Sequence, residues 1–250
     1  MPPPTTPIIS CCIATYNGGR YLKYQILSIL NQLSEHDEII ISDDQSTDNT
    51  LDIIRSFNDD RIKIFNHKKE FCSSSSAYAA KNFENAISHA KGDIIFLSDQ
   101  DDVWLPNKVR VMTEYLKNYD LVISDAYVTD SNLNVLYNTR FYPGCGQTKN
   151  LFKAYISTHP YQGSCMAFRS SILRKALPFP KGVTSHDTWL GYIGSTFYKV
   201  KLIPEKLMYY RRHDNVVSIT GEKSDKPVMI KVRNRLKYLV LLILRGCKLI

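Results

Sequence analysis

Three short apolar runs in the first hundred residues each stop abruptly at a polar or acidic cluster. Ile8 to Ala14 ends at Thr15-Tyr16-Asn17, Glu38 to Ser42 at Asp43-Asp44, and Asp93 to Ser98 at Asp99-Gln100-Asp101-Asp102. The runs are short and rich in β-branched residues, so they read as strands. Helical patterns separate them. Arg20 to Leu33 places Leu22, Ile26, Ile29, Leu30 and Leu33 on one face; Thr47-Asp48 opens a helix through Leu51, Ile54 and Phe57; another spans about Lys81 to Ala90 and is capped by Gly92. A weaker strand, Arg61 to Phe65, follows the second helix. Pro106 marks the first turn of a helix reaching about Asn118, and Leu121 to Ser124 is a further strand. Such alternation implies parallel βαβ units, and ligands of parallel sheets bind outside the carboxyl ends of the strands. All three polar clusters therefore belong on one rim.

After Asp125 the pattern is less regular. Asp130-Ser131-Asn132 reads as a hairpin turn and Gly163 to Phe168 as a strand. Ser170 to Leu177 and His186 to Phe197 read as helices, and Lys199 to Ile203 and Lys206 to Arg211 as two strands. This half is expected to pack on the sheet edge of the first. A chain of 250 residues is ample for one large core. The expected organisation is a disordered lead-in at 1–7, a domain at 8–222 dividing near residue 125, and a distinct tail at 223–250. The serine run from Cys72 to Ser76 reads as a mobile loop.

The six cysteines form no C-x-x-C pair, and Cys11 and Cys12 are adjacent in a strand. That favours buried, reduced thiols over zinc or a disulfide framework, as in a cytosolic protein. The start has neither the charged nor the apolar region of a secretory signal, and no apolar run is long enough to span a bilayer. The net charge of +8 is concentrated in the tail, where Lys226 to Ile250 holds seven lysines and arginines and no acid. With Val228, Met229, Ile230, Val232, Leu236 and the run Tyr238 to Leu244 interleaved, the tail reads as a basic amphipathic helix. It either lies in an anionic membrane surface, making the protein peripheral on the inner face, or packs on the domain.

Three carboxylates within Asp99-Gln100-Asp101-Asp102 repel one another. A hard divalent cation such as Mg²⁺ or Mn²⁺ relieves that repulsion and keeps positions open for phosphate oxygens. The bland reading is an Asp-rich turn in which Asp102 caps the helix near Pro106, but capping needs one acid, not three.

Taken in order, Ile13-Ala14-Thr15-Tyr16-Asn17-Gly18, the stretch Ile41 to Thr50, Phe96 to Trp104, and Ser185-His186-Asp187-Thr188-Trp189 resemble the inverting glycosyltransferases of family 2, which have the GT-A fold. The resemblance spans about Ile8 to Ser218. Ser98 to Asp102, His186-Asp187 with Trp189, and Tyr210 to His213 look most like the bacterial rhamnosyl- or galactosyl-type enzymes of surface polysaccharides. It implies a Rossmann-like, mostly parallel sheet flanked by helices. It also implies that Thr15, Tyr16 and Asn17 line base and ribose, and that Asp43 or Asp44 accepts a hydrogen bond from the base. Asp99 and Asp101 match the D-x-D that meets ribose and metal, Asp102 shares the metal or caps a helix, and His213 is a further metal ligand. Asp187 matches the general base. Arg211 is open between diphosphate contact and a solvated strand end.

The donor implied is a UDP- or dTDP-sugar and the acceptor a glycan, lipid-linked if the tail meets membrane. The competing readings are a catalytically inactive nucleotide-sugar-binding module and a membrane- or nucleic-acid-binding module. No nucleic acid is expected as partner, because the acidic rim would repel phosphate backbones. A P-loop kinase is excluded by the missing G-K-[ST], and a nucleotidyltransferase by sparse glycines after the first strand.

Overall fold

The computed structural model describes residues 6–68, 72, 74–141, 160–213 and 228–249. Met1 to Thr5 of the lead-in, Ser73 of the serine run, Cys145, and the boundary expected at 222 and 223 lie outside them. The first half supplies β1 (Ile9–Thr15), α1 (Leu22–Leu30), β2 (Glu38–Asp43), α2 (Thr50–Arg55), β3 (Ile62–Asn66), α3 (Ser75–His89) and β4 (Ile94–Ser98). β1 pairs in parallel with both β2 and β4, and β3 pairs in parallel with β2. Ile13, Ile39, Ile40, Ile41, Ile95, Phe96 and Leu97 are fully buried, so both faces of these strands are covered. That is why they read as unbroken apolar runs.

The second half supplies β5 (Val103–Trp104), α4 (Lys108–Leu116), β6 (Leu121–Thr129), β7 (Val135–Tyr137), β8 (Met166–Arg169), α5 (Leu173–Ala176), α6 (His186–Phe197), β9 (Val200–Arg211) and α7 (Val228–Gly246). The described strands form one sheet in the order β3-β2-β1-β4-β8-β6-β9-β5, with β7 beside β6. The second half therefore extends the sheet. β8 runs antiparallel between β4 and β6, pairing Ile95 with Phe168 and Phe96 with Ala167.

Several elements depart from the sequence reading: β6 runs past Ser124 to Thr129, and α4 starts at Lys108, after Pro106. α3 begins within the serine run, because Ser74 caps it by accepting a hydrogen bond from Ala77 N–H. The two expected terminal strands are one, β9; its register against β6 shifts between Ile123 and Asp125, opposite Pro204, where a bulge tolerates the missing N–H. Gly92 does not cap α3, whose C-cap is Ala90. It lies so close to β1 that a Cβ there would sit 2.6 Å from Ser10 N, and its own N–H donates to Ser10 Oγ at 2.8 Å.

The tail helix α7 packs one face on the domain. Tyr238, Leu242 and Arg245 are buried; Tyr238 meets Tyr192 of α6 edge-on, and Arg245 donates to the carbonyls of Leu177 and Pro178. Met229, Leu236, Val240 and Ile243 remain exposed on the helix. No described helix is long and apolar enough to cross a membrane.

Candidate active site

The carboxyl ends of β1, β2 and β4 and the N-terminal ends of α3 and α6 surround a cavity of about 560 Å³. Thr15, Tyr16, Asn17, Asp44, Asp99, Asp101, Asp187 and His213 all line it. The sequence placed these residues on five separate segments, and the fold brings them to one rim.

The turn after β1 is held by hydrogen bonds to its own rim. Tyr16 N–H donates to Gln100 Oε1 at 2.9 Å, and Gln100 Nε2 donates back to Tyr16 O at 3.2 Å. Gln100 packs so closely that a Cβ on Gly18 would lie 2.3 Å from Oε1, so a larger residue there would displace the Gln100 amide. Asn17, with φ at 48°, accepts from Thr47 N–H at 2.8 Å. Tyr16 is exposed over the cavity and does not belong to the core.

Asp43 and Asp44 are told apart by their partners. Asp43 accepts from Thr15 Oγ1, Ser46 N–H and Ser46 Oγ at 2.6–2.8 Å and is absent from the cavity wall. Asp44 lies on the wall, and its Oδ1 meets His67 Nδ1 at 2.5 Å.

The acid cluster splits in the same way. Asp101 Oδ2 and His213 Nε2 are 2.9 Å apart on the cavity wall, with Asp99 beside them. Burial, then the charges of Asp101 and Asp187, push the Asp99 carboxyl up to about 7. Asp102 is fully buried off the wall, and burial with Asp101 and Asp99 raises it well above the usual range. Its Oδ1 accepts from Arg211 N–H at 3.0 Å, and its Oδ2 has no hydrogen-bond partner. Asp102 does not cap the following helix, since α4 starts at Lys108 after Asn107. Arg211 is neither solvated nor on the wall: its guanidinium donates to the carbonyls of Asp101 and Ser131 and lies 4.4 Å over the Tyr21 ring. It braces the acid loop from behind.

Asp187 enters from the first turn of α6. Ser185 caps that helix through Thr188 N–H, and its hydroxyl also donates to Asp187 Oδ1, which accepts from Thr188 N–H at 2.6 Å. The neighbouring His186 stacks on Phe83 at 3.9 Å, its Nε2 lacks a hydrogen-bond partner, and burial lowers its basicity. Trp189 is core, donating to Ala176 O at 2.9 Å.

Among the described residues, no three His, Cys, Asp or Glu side chains form a ready-made metal cage. The donors present nonetheless suit a hard cation that keeps positions for phosphate oxygens. Asp101 and His213 touch, Asp99 repels Asp101, and both raise the buried Asp102 carboxyl, which lies beside the Ser164 hydroxyl. A divalent cation would complete that set.

The sequence did not single out His67, Gln100, His186, Ser75, Ser76 or Tyr78 as site residues. The last four line the wall with Gln100, and His67 stands just behind it. Gln100 and His186 carried local signals, inside the acidic cluster and beside Asp187, and Ser75 and Ser76 lay in the serine run read as a loop.

Solved structures share this architecture. Staphylococcus aureus TarS, residues 1–349 in complex with UDP, superposes with a TM-score of 0.66 at 16% identity, covering 95% of this chain and 65% of that one. A mannosyltransferase from Pyrobaculum calidifontis, in complex with GDP-Man and Mn²⁺, gives 0.61 at 17% identity over 87% of this chain and 61% of that one. The fold is therefore that of the GT-A glycosyltransferases. The glycosyl transferase family 2 model matches residues 10–177, and the chain belongs to that family. An uncharacterized glycosyltransferase of Methanocaldococcus jannaschii is 31% identical over 225 residues, 85% of this chain and 74% of that protein. Escherichia coli UDP-Glc:alpha-D-GlcNAc-diphosphoundecaprenol beta-1,3-glucosyltransferase is 31% identical over 112 residues, 44% of this chain and 42% of that protein. The chain spans less than two thirds of the two solved structures.

Proposed function

We propose that this glycosyltransferase moves a hexose or deoxyhexose from a UDP- or dTDP-sugar to a glycan acceptor with inversion, in bacterial surface-polysaccharide synthesis. The observation that carries this reading is a cavity that joins Asp187 at a helix N-terminus to Asp44, Asp99, Asp101 and His213 at the strand ends. Asp44, Tyr16 and Asn17 take the nucleoside. Asp101, His213 and Asp99 would hold Mn²⁺ or Mg²⁺, with Asp102 behind them; that cation supplies positive charge to the leaving diphosphate. The Asp187 carboxylate accepts the proton of the acceptor hydroxyl. The freed oxygen bonds to the anomeric carbon as the bond from that carbon to the diphosphate breaks, through an oxocarbenium-like state. Ser185 and Thr188 N–H hold Asp187 Oδ1, which keeps the carboxylate aimed.

A lipid-linked acceptor is the natural partner of a protein with a basic, half-apolar helix on its surface. The undecaprenol-linked acceptor in the name of the Escherichia coli relative supports it. The protein then works at the inner face of the membrane, from the cytoplasm. Replacing Asp187 by Asn tests the chemistry. Transfer should fall about 10²–10⁴-fold, the range of one general base, while UDP binding stays within twofold. Unchanged transfer would remove Asp187 from the mechanism.

A further inference from the structure

We propose that His67 sets nucleobase selectivity by holding one oxygen of Asp44, which restricts the site to uracil or thymine over guanine. This rests on the nucleotide reading above and adds a residue outside the motifs that support it.

Asp44 is fixed from two sides. Its backbone N–H donates to Thr15 O of β1 at 2.9 Å, and its Oδ1 is held by His67 Nδ1, which lies at the end of β3. His67 is fixed in turn, since its N–H donates to Asp43 O at 2.8 Å. The Asp44 side chain is only 4% exposed and that of His67 17%, so water competes little for the pair. Asp44 lies on the cavity wall and His67 does not, so His67 acts through Asp44.

The edges of the bases then discriminate. Guanine presents N1–H and N2–H side by side, a donor pair that engages both oxygens of a carboxylate. Uracil and thymine present one N3–H between two carbonyls and need a single oxygen. Cytosine and adenine present a lone pair at the same place, which a carboxylate repels. With Oδ1 engaged by the imidazole, Asp44 offers Oδ2, and one imide N–H matches that offer. Asp43 cannot substitute, because its oxygens already accept from Thr15 and Ser46.

The test is isothermal titration of UDP, GDP and pyrophosphate, each with Mn²⁺, against wild type, His67→Leu and His67→Asn. Wild type should prefer UDP. In His67→Leu the UDP-to-GDP affinity ratio should drop about tenfold, the size of one lost positioning hydrogen bond to a charged group. Pyrophosphate affinity should not move, and His67→Asn, which keeps an N–H near the Nδ1 position, should recover most of the ratio. An unchanged ratio in His67→Leu would overturn the proposal. So would an equal fall for all three ligands, which marks general damage, or a wild type that binds GDP as well as UDP. Wild type that binds pyrophosphate but no nucleotide would overturn the nucleotide reading itself.

Discussion

Lys108 carries its amine into a site with no exposed surface, against the carbonyl of Ser164 and 4.5 Å over the Trp104 ring. Burial lowers its pKa to about 8, so it is still mostly protonated at neutral pH. Its charge opposes the upward push on Asp99. A strand can end on three carboxylates because the Lys108 ammonium lies beside them, and the proposed divalent cation would add a second positive charge from the cavity side. Glu38 shows the opposite balance. Burial alone would raise its carboxyl, but Lys63 Nζ, Ser10 Oγ and Lys91 N–H outweigh it, and the pKa falls below 4.5. The stabilisation is fully present above about pH 4.5 and is lost as pH falls through the lower folded value. Lys63 is half-exposed, so its share is partly screened, while the bonds from Ser10 Oγ, buried, and Lys91 N–H, part-buried, are less exposed to solvent. Urea unfolding should show Glu38→Gln to be about 1 kcal/mol less stable than wild type at pH 7, with the gap closing near pH 3. A gap that persists at low pH would mean the carboxylate charge is not the source.

At the scale of elements, the rim was legible and the second half of the sheet was not. β1, β2 and β4 are buried on both faces, so their ends show as sharp changes from apolar to polar. α6 was legible at both ends, His186 to Phe197, whereas its Ser185 cap emerged only in the structure. The place of β8 depends on pairing with residues about 70 positions earlier, which leaves no local trace. His67 reaches Asp44 across a βαβ unit, and an isolated histidine after a weak strand looks like any surface residue. The entry to α3 was hidden because serines signal loops and caps alike.

The same limit applies to α7, where composition alone left membrane contact and packing open. Packing of Tyr238, Leu242 and Arg245 accounts for one face. The exposed Leu236, Val240 and Ile243 on the helix, with no acid between Lys226 and Ile250, fit an anionic lipid surface. Co-flotation with liposomes containing anionic lipid should be strong for wild type. It should fall several-fold when Leu236, Val240 and Ile243 are changed together to Asp, with unfolding temperature kept within a few degrees. Equal flotation of the triple variant would show that this face does not meet the bilayer.

For the molecule as a whole, the sheet collects residues 15 to 213 around one cavity, because a parallel first half and a mixed second half share one sheet. The parallel half provides Thr15 to Asn17, Asp44 and the acid cluster, α6 provides Asp187, and His213 follows β9 by two residues. No single segment holds the site, so four individually weak motifs became informative only in order along the chain. The central claim is that this cavity binds a nucleoside diphosphate through a divalent cation. Its most direct test is calorimetric titration of UDP and of dTDP, each with and without Mn²⁺, into wild type and Asp101→Ala. Binding should require Mn²⁺ and weaken at least tenfold in the variant, on the order of one lost charged ligand. Absence of binding by either nucleotide under every condition, or binding indifferent to both Mn²⁺ and Asp101, would contradict it.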